Sequence, residues 1–173
     1  MKDTNMLFTE PEDSILENVR KGYGLGEFHT DTELTIIQFK LDEGAFEPTR
    51  AHSTDAGIDI RAKDAAVIEP NSSSVFHTGV HVKLPSGTAG LFVSKSGLNV
   101  KHGITSTGLI DEGYDGELVA KLYNHTDVPY IVSAGDKITQ LVIIPIVYPE
   151  ISIVNELNQD SERGDDGFGS SGR

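Results

Sequence analysis

The sequence predicts an all-β domain, built as a sandwich or a barrel. Its 173 residues contain short segments that are rich in β-branched or aromatic residues and bounded by Gly, Pro, Asn or Ser, which is typical of strands. No segment after Leu34 repeats apolar residues with the 3.6-residue period of a helix. Closely spaced short strands with turn residues between them favour a sandwich or a barrel. The predicted strands are 34–39, 75–76, 80–83, 90–93 and 118–123.

The most apolar run of the chain is 138–147, Ile-Thr-Gln-Leu-Val-Ile-Ile-Pro-Ile-Val. Its almost continuous apolar character predicts a strand that is buried on both faces. Pro145 has no backbone N–H to donate to a neighbouring strand, so we expect it at a bulge or at an edge of the sheet.

Residues 1–33 differ from the rest of the chain and are predicted to form an N-terminal arm. The segment 11–14, Pro-Glu-Asp-Ser, is suited to cap one or two turns of amphipathic helix, which Gly22, Gly24 and Gly26 then interrupt. We expect a loosely packed arm that is in part helical or disordered. The predicted organisation is this arm, a β domain at 34–160 and a glycine-rich C-terminal segment at 161–173.

Composition excludes several classes of protein. The chain has no run of 18 apolar residues and no basic N-terminal stretch before an apolar one, so we expect neither a membrane protein nor a secreted one. It contains no cysteine, which excludes thiol chemistry within the chain and is compatible with a cytoplasmic location. The net charge of −13 argues against broad binding to nucleic acid. A small polyanionic substrate would need a local cluster of cations and a divalent metal ion.

Five polar or glycine-rich segments interrupt the predicted strands, and each has an ordinary structural interpretation when taken alone. An aspartate beside a glycine commonly stabilises a turn, and a lysine such as Lys95 commonly lies on the surface of a hairpin. A cation, a hydroxyl and a glycine amide in succession can also form a concavity that binds anions. The segments are 54–60, 85–87 together with 93–97, 108–116, 135–141 and 161–172.

The last of these segments has the most informative pattern, Arg-Gly-x-x-Gly-Phe-Gly-Ser-Ser-Gly at 163–172. Its glycines allow the backbone to come close to a ligand. Arg163 supplies a planar cationic fork for phosphate, and Phe168 supplies a face on which a base can stack. The segment has too little apolar surface to fold alone, so a disordered terminus is the alternative interpretation.

Taken together, in this order and spacing, the five segments resemble the trimeric dUTPase family over about residues 34–173. The resemblance implies a jelly-roll-like β barrel of the dUTPase type and a homotrimer with active sites at the subunit interfaces. It also implies hydrolysis of dUTP to dUMP and pyrophosphate with Mg²⁺ as cofactor. This reaction limits uracil incorporation into DNA and supplies dUMP for thymidylate synthesis. We expect no nucleic-acid or membrane partner, and no other protein is required for activity.

The resemblance assigns the chemistry to three residues. Asp111 matches the catalytic aspartate, which orients and deprotonates the water that attacks the α-phosphorus, a role suited to a group that accepts hydrogen bonds. Tyr114 matches the aromatic residue under the deoxyribose, where a ribose 2′-hydroxyl would clash. Asp59 matches an acidic residue that supports the metal through water, since Mg²⁺ usually keeps several of its waters.

The other matched residues are implied to bind the substrate. Lys95, Ser96 and Gly97 match the phosphate-binding segment, and Gln140 matches a glutamine near the phosphates. The segment 161–173 matches a mobile lid that closes over the nucleotide and excludes water. The remaining matches are Thr105, Thr107, Gly108 and Ile110 at the uracil, Arg163 and Ser170 at the phosphates, Phe168 over the base, and Gly169 beside it.

Two departures from the family pattern stand out. Lys95 occupies a position that usually carries arginine, and lysine keeps the charge but loses the bidentate fork. The segment 102–111 is expected to form a uracil-binding hairpin that is shorter than usual and lacks its common asparagine. For Asp55, Glu112 and Asp115 we expect local structural roles.

Two alternative functions remain. The short 102–111 segment resembles that of the dCTP deaminases, which share the fold and need a glutamate three residues before the asparagine that ends the next strand. Here that asparagine is Asn124 and the corresponding residue is Lys121, whose cationic side chain is no proton acceptor. The third hypothesis is a regulatory binding protein built on this fold, in which residues 1–33, with Arg20 and Lys21, are the appended segment.

Overall fold

The computed structural model describes residues 36–156, and this part of the chain is mostly β, as predicted. Seven strands form one curled sheet in the order β1-β4-β7-β6-β5-β9-β2, and β3 pairs with β8 in a second sheet. The elements are β1 (Gln38–Leu41), β2 (Gly57–Arg61), β3 (Ala66–Ile68), β4 (Ser73–Lys83), β5 (Thr88–Val93), α1 (Ser96–His102), β6 (Ile104–Ile110), β7 (Glu117–Asn124), β8 (Tyr130–Val132) and β9 (Lys137–Pro145).

The strand predicted at 118–123 is confirmed as the centre of β7. Its sequence alternates, so Leu118, Ala120 and Leu122 are buried while the residues between them are more exposed, as expected for a sheet with one face on the core. Asn124 ends the strand and is also buried. Its amide donates to the carbonyls of Ile68 and Val128, and therefore carries no unsatisfied donor into the core.

The two strands predicted at 75–76 and 80–83 are one strand, β4. Its register against β7 shifts between His77 and His81. Gly79 lies in this irregular stretch with φ +65, a conformation that glycine adopts without strain. The residues between the two predicted strands therefore belong to one strand, which Gly79 allows to continue through a bulge.

The first and last predicted strands have different limits from those expected. β1 begins at Gln38 rather than Leu34 and continues to Leu41. β9 ends at Pro145 rather than Val147. The predicted burial on both faces holds at Ile138 and Thr139 but not at Val142 to Ile144, which are only half-buried. Beyond Val142, β9 has lost β2 as a neighbour and pairs with β5 alone. Pro145 thus lies where one side of the strand is an edge, which agrees with its missing N–H.

Five elements are not among those predicted: the strands β2, β3, β6 and β8 and the helix α1. β3 and β8 have three residues each, too few to show an alternation of apolar residues. α1 has seven residues, about two turns, and its sequence shows no apolar stripe. No helix within residues 36–156 is long and apolar enough to cross a membrane.

His81 connects β4 to two neighbouring segments. Its Nε2 lies 3.2 Å from a carboxylate oxygen of Asp42 and its Nδ1 lies 3.2 Å from the carbonyl oxygen of Asp115. Both ring nitrogens face acceptors, so only the doubly protonated ring can donate to both. The hydrogen bond to Asp115 and then that to Asp42 raise the pKa of His81, against the effect of burial and of nearby Lys40.

We predict that this contact makes the stability of the domain depend on pH. Folding raises the pKa of His81. Its contribution to the free energy of unfolding is therefore complete below its pKa in the unfolded chain, about 6.5, and declines as the pH rises through its pKa in the folded protein. Thermal melting of the wild type and of His81→Gln measures the difference between their melting temperatures. This difference should shrink between about pH 6 and about pH 8. A difference that stays constant over this range would contradict the prediction.

Candidate active site

A row of directly opposed residues crosses four strands and positions the first half of the site. Thr107 on β6 pairs with Val93 on β5, Val93 pairs with Gln140 on β9, and Gln140 pairs with Asp59 on β2. Side chains of directly opposed residues project from the same face of a sheet. Thr107 and Gln140, which were predicted to bind substrate, and Asp59, which was predicted to support the metal, therefore lie in one row on the same face of the sheet.

Gln140 lies against the backbone of β2. A Cβ atom at Gly57 would be 3.0 Å from Cβ and 3.0 Å from Cδ of Gln140, so the glycine of the first polar segment leaves the space that this side chain occupies. From this position the Nε2 group of Gln140 donates to Oδ1 of Asp59 at 3.3 Å.

Asp59 is the centre of a cluster of cations. Its side chain is only 5% exposed, and its Oδ1 and Oδ2 atoms contact the ammonium groups of Lys95 and Lys137, the latter at 2.7 Å. Burial alone would raise the pKa of Asp59, but Lys137 and Lys95 hold it below its ordinary value. Two ammonium groups against one carboxylate leave one net positive charge. This cluster is therefore suited to bind phosphate, although the chain as a whole is acidic.

Lys95 lies where β5 leads into α1, not on the surface of a hairpin. It is the N-cap residue of α1, and Ser96 and Gly97 begin the helix on the exposed surface. The preceding residue, Ser94, donates to the carbonyl of Ser106 at 3.0 Å and accepts from its N–H at 2.9 Å. These two bonds tie the end of β5 to β6 and fix the point from which Lys95 extends toward Asp59.

The second half of the site is a pocket of about 190 Å³ between β6 and β7. Ile104 to Ser106 pair with β7, whereas the residues from Thr107 to Ile110 pair with β5. β6 therefore separates from β7 at its midpoint, and the pocket lies in the gap. It is lined by Phe92, Gly108, Leu109, Ile110, Asp111, Tyr114, Glu117, Leu118 and Val119.

Asp111 and Tyr114 are held together by a turn at the mouth of this pocket. The N–H of Tyr114 donates to the carbonyl of Asp111 at 3.0 Å, and the Tyr114 hydroxyl donates to the carbonyl of Glu117 at 2.9 Å. The ring lies over Gly116, where any Cβ atom would be 2.3 Å from the hydroxyl oxygen. Asp111 is exposed, so its carboxylate is accessible to water and substrate.

The structure corrects one expectation and separates another residue from the pocket. The segment 102–111 is not a hairpin, because α1 ends at His102, Gly103 turns the chain with φ +62, and β6 then continues as one strand to Ile110. Thr105 lies in the paired half of β6, and its hydroxyl is 2.7 Å from Nε2 of His125. The predicted lid residues Arg163, Phe168, Gly169 and Ser170 lie outside the described residues.

Asp55, Glu112 and Asp115 have local partners. Asp55 accepts from the N–H of His52 at 3.0 Å, and Asp115 lies 3.7 Å from the ammonium of Lys83. Glu112 accepts from the N–H of Gly87 at 2.9 Å and from the hydroxyl of Tyr148 at 2.6 Å.

The sequence analysis missed Lys137 as a member of the phosphate-binding cluster. The signal was present, since Lys137 belongs to the same polar segment as Gln140 and lies three residues before it. β9 enters the sheet at Lys137 and pairs there with Arg61 of β2, which brings its ammonium to Asp59.

The cluster also limits how a metal ion can be held. Within residues 36–156, no group of three or more His, Cys, Asp or Glu side chains is placed to ligate a metal by itself. A carboxylate offers about four acceptor positions. Lys95 and Gln140 use Oδ1 of Asp59 and Lys137 uses Oδ2. Asp59 thus fits a metal-bound water at its free position, and a metal would take its direct ligands from the substrate.

Comparison with known proteins identifies the family. The family model described as dUTPase matches residues 45–172. The deoxyuridine 5′-triphosphate nucleotidohydrolase of Paramecium bursaria Chlorella virus 1 is 42% identical over 139 residues, covering 80% of this chain and 98% of the viral protein. The enzyme of the same name from Leifsonia xyli is 42% identical over 148 residues, covering 83% and 93%.

Solved structures agree with these sequence matches. The dUTPase of Staphylococcus bacteriophage 80alpha, bound to dUpNHpp, superposes with a TM-score of 0.75 at 36% identity, covering 80% of this chain and 99% of the phage protein. A dUTPase variant from phage phi11 of S. aureus, which coordinates a structural Mg(II) ion, has a TM-score of 0.65 at 34% identity and covers 70% and 97%. The family model, the relatives and the fold agree, and this chain belongs to the dUTPase family.

Proposed function

We propose that the chain hydrolyses dUTP to dUMP and pyrophosphate by attack of water on the α-phosphate. The observation that carries this proposal is that one sheet bears two half-sites with complementary chemistry. The lysine cluster around Asp59 suits a triphosphate, and the pocket at Asp111 and Tyr114 suits a nucleoside with a water beside it. The reaction would limit uracil incorporation into DNA and supply dUMP for thymidylate synthesis, and we place it in the cytoplasm.

At the phosphate end, Lys95, Lys137 and Gln140 would bind the oxygens of the triphosphate. Asp59 holds both ammonium groups before the substrate arrives, so their positions are set in advance, which lowers the entropic cost of binding. Ser96 and Gly97 lie next to Lys95 and are exposed, which leaves them accessible to the same phosphates. Asp59 would hold Mg²⁺ through a hydrogen bond to a metal-bound water, and the ion would supply neutralisation of the phosphate charge.

At the nucleoside end, the ring of Tyr114 would pack under the deoxyribose and Asp111 would hold the attacking water. The uracil would occupy the gap between β6 and β7. The backbone groups of Gly108 and Ile110 border this gap, and Thr107 lies at the point where the two strands separate. A backbone N–H and a backbone C=O provide the donor and acceptor that the edge of uracil requires.

We infer that the active form is a homotrimer with sites at its subunit interfaces. In one chain, Asp111 lies four residues beyond Thr107, which is about 13 Å along a strand at about 3.3 Å per residue. The lysine cluster and the catalytic aspartate are thus at opposite ends of the β5–β6 ladder. The segment after β9 also leaves Val147, Ile151 and Ile153 at least 86% exposed, and such apolar side chains are suited to pack on another subunit.

The deaminase alternative is less well supported. Lys121 occupies the position where that family needs a glutamate. Its side chain lies on the exposed face of β7, with its ammonium 5.2 Å from the ring of Tyr123. The acid of β7 on this face, Glu117, lies four residues before Lys121 and is bound to His77 and to the N–H of Gly79. The decisive experiment is incubation with dUTP, dCTP or dTTP and Mg²⁺, followed by product identification. We expect pyrophosphate and dUMP from dUTP alone, whereas release of ammonia from dCTP would overturn the proposal.

The first prediction from this function concerns Asp111. Asp111→Asn should abolish turnover with little effect on the fold or on dUTP binding, because the amide keeps the shape but cannot accept the proton of the water. Removal of a general base lowers kcat by about 10²–10⁴-fold. Steady-state kinetics beside a dUTP-binding titration test this, and a variant that keeps more than about a tenth of the wild-type kcat would place the general base elsewhere.

The second prediction concerns the sugar. Tyr114→Ala should erode discrimination against UTP, because the clash with the 2′-hydroxyl disappears, and it should also weaken dUTP binding. Tyr114→Phe is the matched control, since it keeps the ring and removes only the hydrogen bond to Glu117. The measurement is the ratio of kcat/KM for dUTP to that for UTP. An unchanged ratio in Tyr114→Ala would show that another residue recognises the sugar.

The third prediction concerns residues 162–173, which we propose to be a lid that orders over bound nucleotide. Ordering costs roughly 1–2 kcal/mol of backbone entropy per residue, and stacking of Phe168 on the base returns ~1–3 kcal/mol. Truncation after Ser161 should therefore lower kcat/KM by about tenfold or more, with the melting temperature and the oligomeric state unchanged.

Two substitutions separate the contribution of Phe168 from the rest of the lid. Phe168→Ala should reproduce a large part of the loss caused by truncation, whereas Phe168→Trp keeps a stacking face and should retain activity. Melting curves accompany the kinetics. Full activity of the truncated protein would reject the lid, and so would a fall in melting temperature as large as that of a core substitution.

A further inference from the structure

Three separate segments of the chain meet in a closed ring of hydrogen bonds next to Asp111. The carboxylate of Glu112 accepts from the N–H of Gly87 at 2.9 Å and from the hydroxyl of Tyr148 at 2.6 Å. The carbonyl of the same Gly87 accepts from the N–H of Ile146 at 2.9 Å. Ile146 and Tyr148 are two residues apart, so the ring closes through the backbone. We name these four residues the Glu112 bracket.

The Gly87 side of the bracket is a firm anchor. Gly87 has φ +73, a left-handed conformation that favours glycine, in the turn that joins β4 to β5. The Thr88 hydroxyl closes this turn by donating to the carbonyl of Pro85 at 2.6 Å. Because β5 is paired with β6 and β9 immediately after this turn, the Gly87 amide has a fixed position in the sheet.

The Glu112 side of the bracket is the turn that carries the catalytic carboxylate. Within this turn, the bond from the N–H of Tyr114 to the carbonyl of Asp111 holds the backbone, while Asp111 itself is exposed. Glu112 is the next residue and extends away from the pocket to Gly87 and Tyr148. It therefore fixes the turn from outside, at the peptide group that Asp111 and Glu112 share.

We propose that Glu112 and Tyr148 are positioning residues for the catalytic turn, and that they couple the orientation of Asp111 to the start of the C-terminal segment. This inference rests on the proposed dUTP hydrolysis. Neither side chain contacts substrate in this scheme, and both act through Asp111. Small errors in the position of a reacting group are costly, since a displacement of about 1 Å can lower a rate by about 10²-fold.

The protonation states of the bracket favour its persistence at neutral pH. The hydrogen bond from Tyr148, followed by that from Gly87, lowers the pKa of Glu112. The same bond to Glu112, then burial, then the charges of Glu112 and Asp111 raise the pKa of Tyr148. The pair thus stays a carboxylate and a neutral phenol, the combination that gives a strong charge-assisted hydrogen bond.

The chain beyond the bracket gives it a second consequence. Ile146 and Tyr148 follow directly after β9, and the Arg-Gly-x-x-Gly-Phe-Gly motif at 163–169 lies further along the same segment. The bracket sets the point and direction at which this segment leaves the sheet. A single carboxylate therefore contacts both the turn that would hold the water and the first residues after β9.

Kinetics of four variants test the proposal: Glu112→Ala, Glu112→Gln, Tyr148→Phe and the double variant Glu112→Ala/Tyr148→Phe. We expect Glu112→Ala to lower kcat by about tenfold and Tyr148→Phe by about threefold, with KM within about twofold and the melting temperature unchanged. Glu112→Gln should recover most of the activity, because its amide oxygen can accept from both donors. The double variant should be no slower than Glu112→Ala, since the one bond that Tyr148→Phe removes is already lost in Glu112→Ala.

Tyr123→Phe is the matched control, since it removes a hydroxyl from β7 outside the bracket and should keep wild-type kcat. Amide hydrogen exchange supplies a readout independent of turnover: the Gly87 N–H should exchange faster in Glu112→Ala than in the wild type. The positioning role would be overturned if both Glu112→Ala and Tyr148→Phe kept the wild-type kcat. It would also be overturned if the Gly87 N–H exchanged at the same rate in Glu112→Ala as in the wild type, or if the losses of kcat were additive in the double variant. A different result would reject the proposed function itself: a wild type that does not hydrolyse dUTP, although Asp111→Asn folds normally and binds dUTP. The positioning role would then fail with the proposed function.

Discussion

The register of β5 against its two neighbours is the constraint on which both halves of the candidate site depend. Val93 aligns Thr107 and Gln140, and through Gln140 it also aligns Asp59. At the other end of β5, Gly90 lies opposite Ile110, the residue before Asp111. A slip of one residue would move every side chain of a strand to the opposite face. Gly90 helps to hold the register, because a Cβ atom there would be 2.9 Å from Leu141 and 3.2 Å from Ile110.

Within this frame, the phosphate end is organised by the electrostatics of one buried acid. A buried carboxylate without partners is strongly unfavourable, and Asp59 avoids this by binding two ammonium groups. The chain has 14 lysines and arginines against 27 acidic residues, so a pair of converging lysines is not expected by chance on an arbitrary surface. Lys95 in place of the usual arginine fits this arrangement, because a compact ammonium can share one carboxylate with a second lysine, whereas a guanidinium binds both oxygens in a bidentate pair.

The sequence was sufficient for the elements whose side chains alternate over a useful length, such as β7. It was insufficient where the deciding contacts are distant along the chain. The pairing of Asp59 with Lys95 joins residues 36 positions apart, and no local pattern predicts it. Residues 77–79 lie between two predicted strands because a left-handed glycine in a bulge and a glycine in a turn look the same in a sequence. The residues proposed to be catalytic could be matched to a family by their motifs, but the bracket through Glu112 could not, since Tyr148 lies in a segment without a motif.

The corrected conformation of 102–111 changes how base recognition has to be understood. With no hairpin in this segment, the pocket is formed by the separation of β6 from β7 after Ser106. Such a gap exposes backbone donors and acceptors that in a continuous sheet would pair with the adjacent strand. Every residue type except proline carries the same backbone N–H and C=O, so a pocket that recognises a base through its backbone has no side-chain motif. Recognition of the base would then depend on where the strands separate and on small residues such as Gly108. A Cβ atom added at Gly108 would lie 3.3 Å from the ring of Phe92. The specificity proposed for this site would therefore depend on strand pairing, which the sequence motifs do not contain.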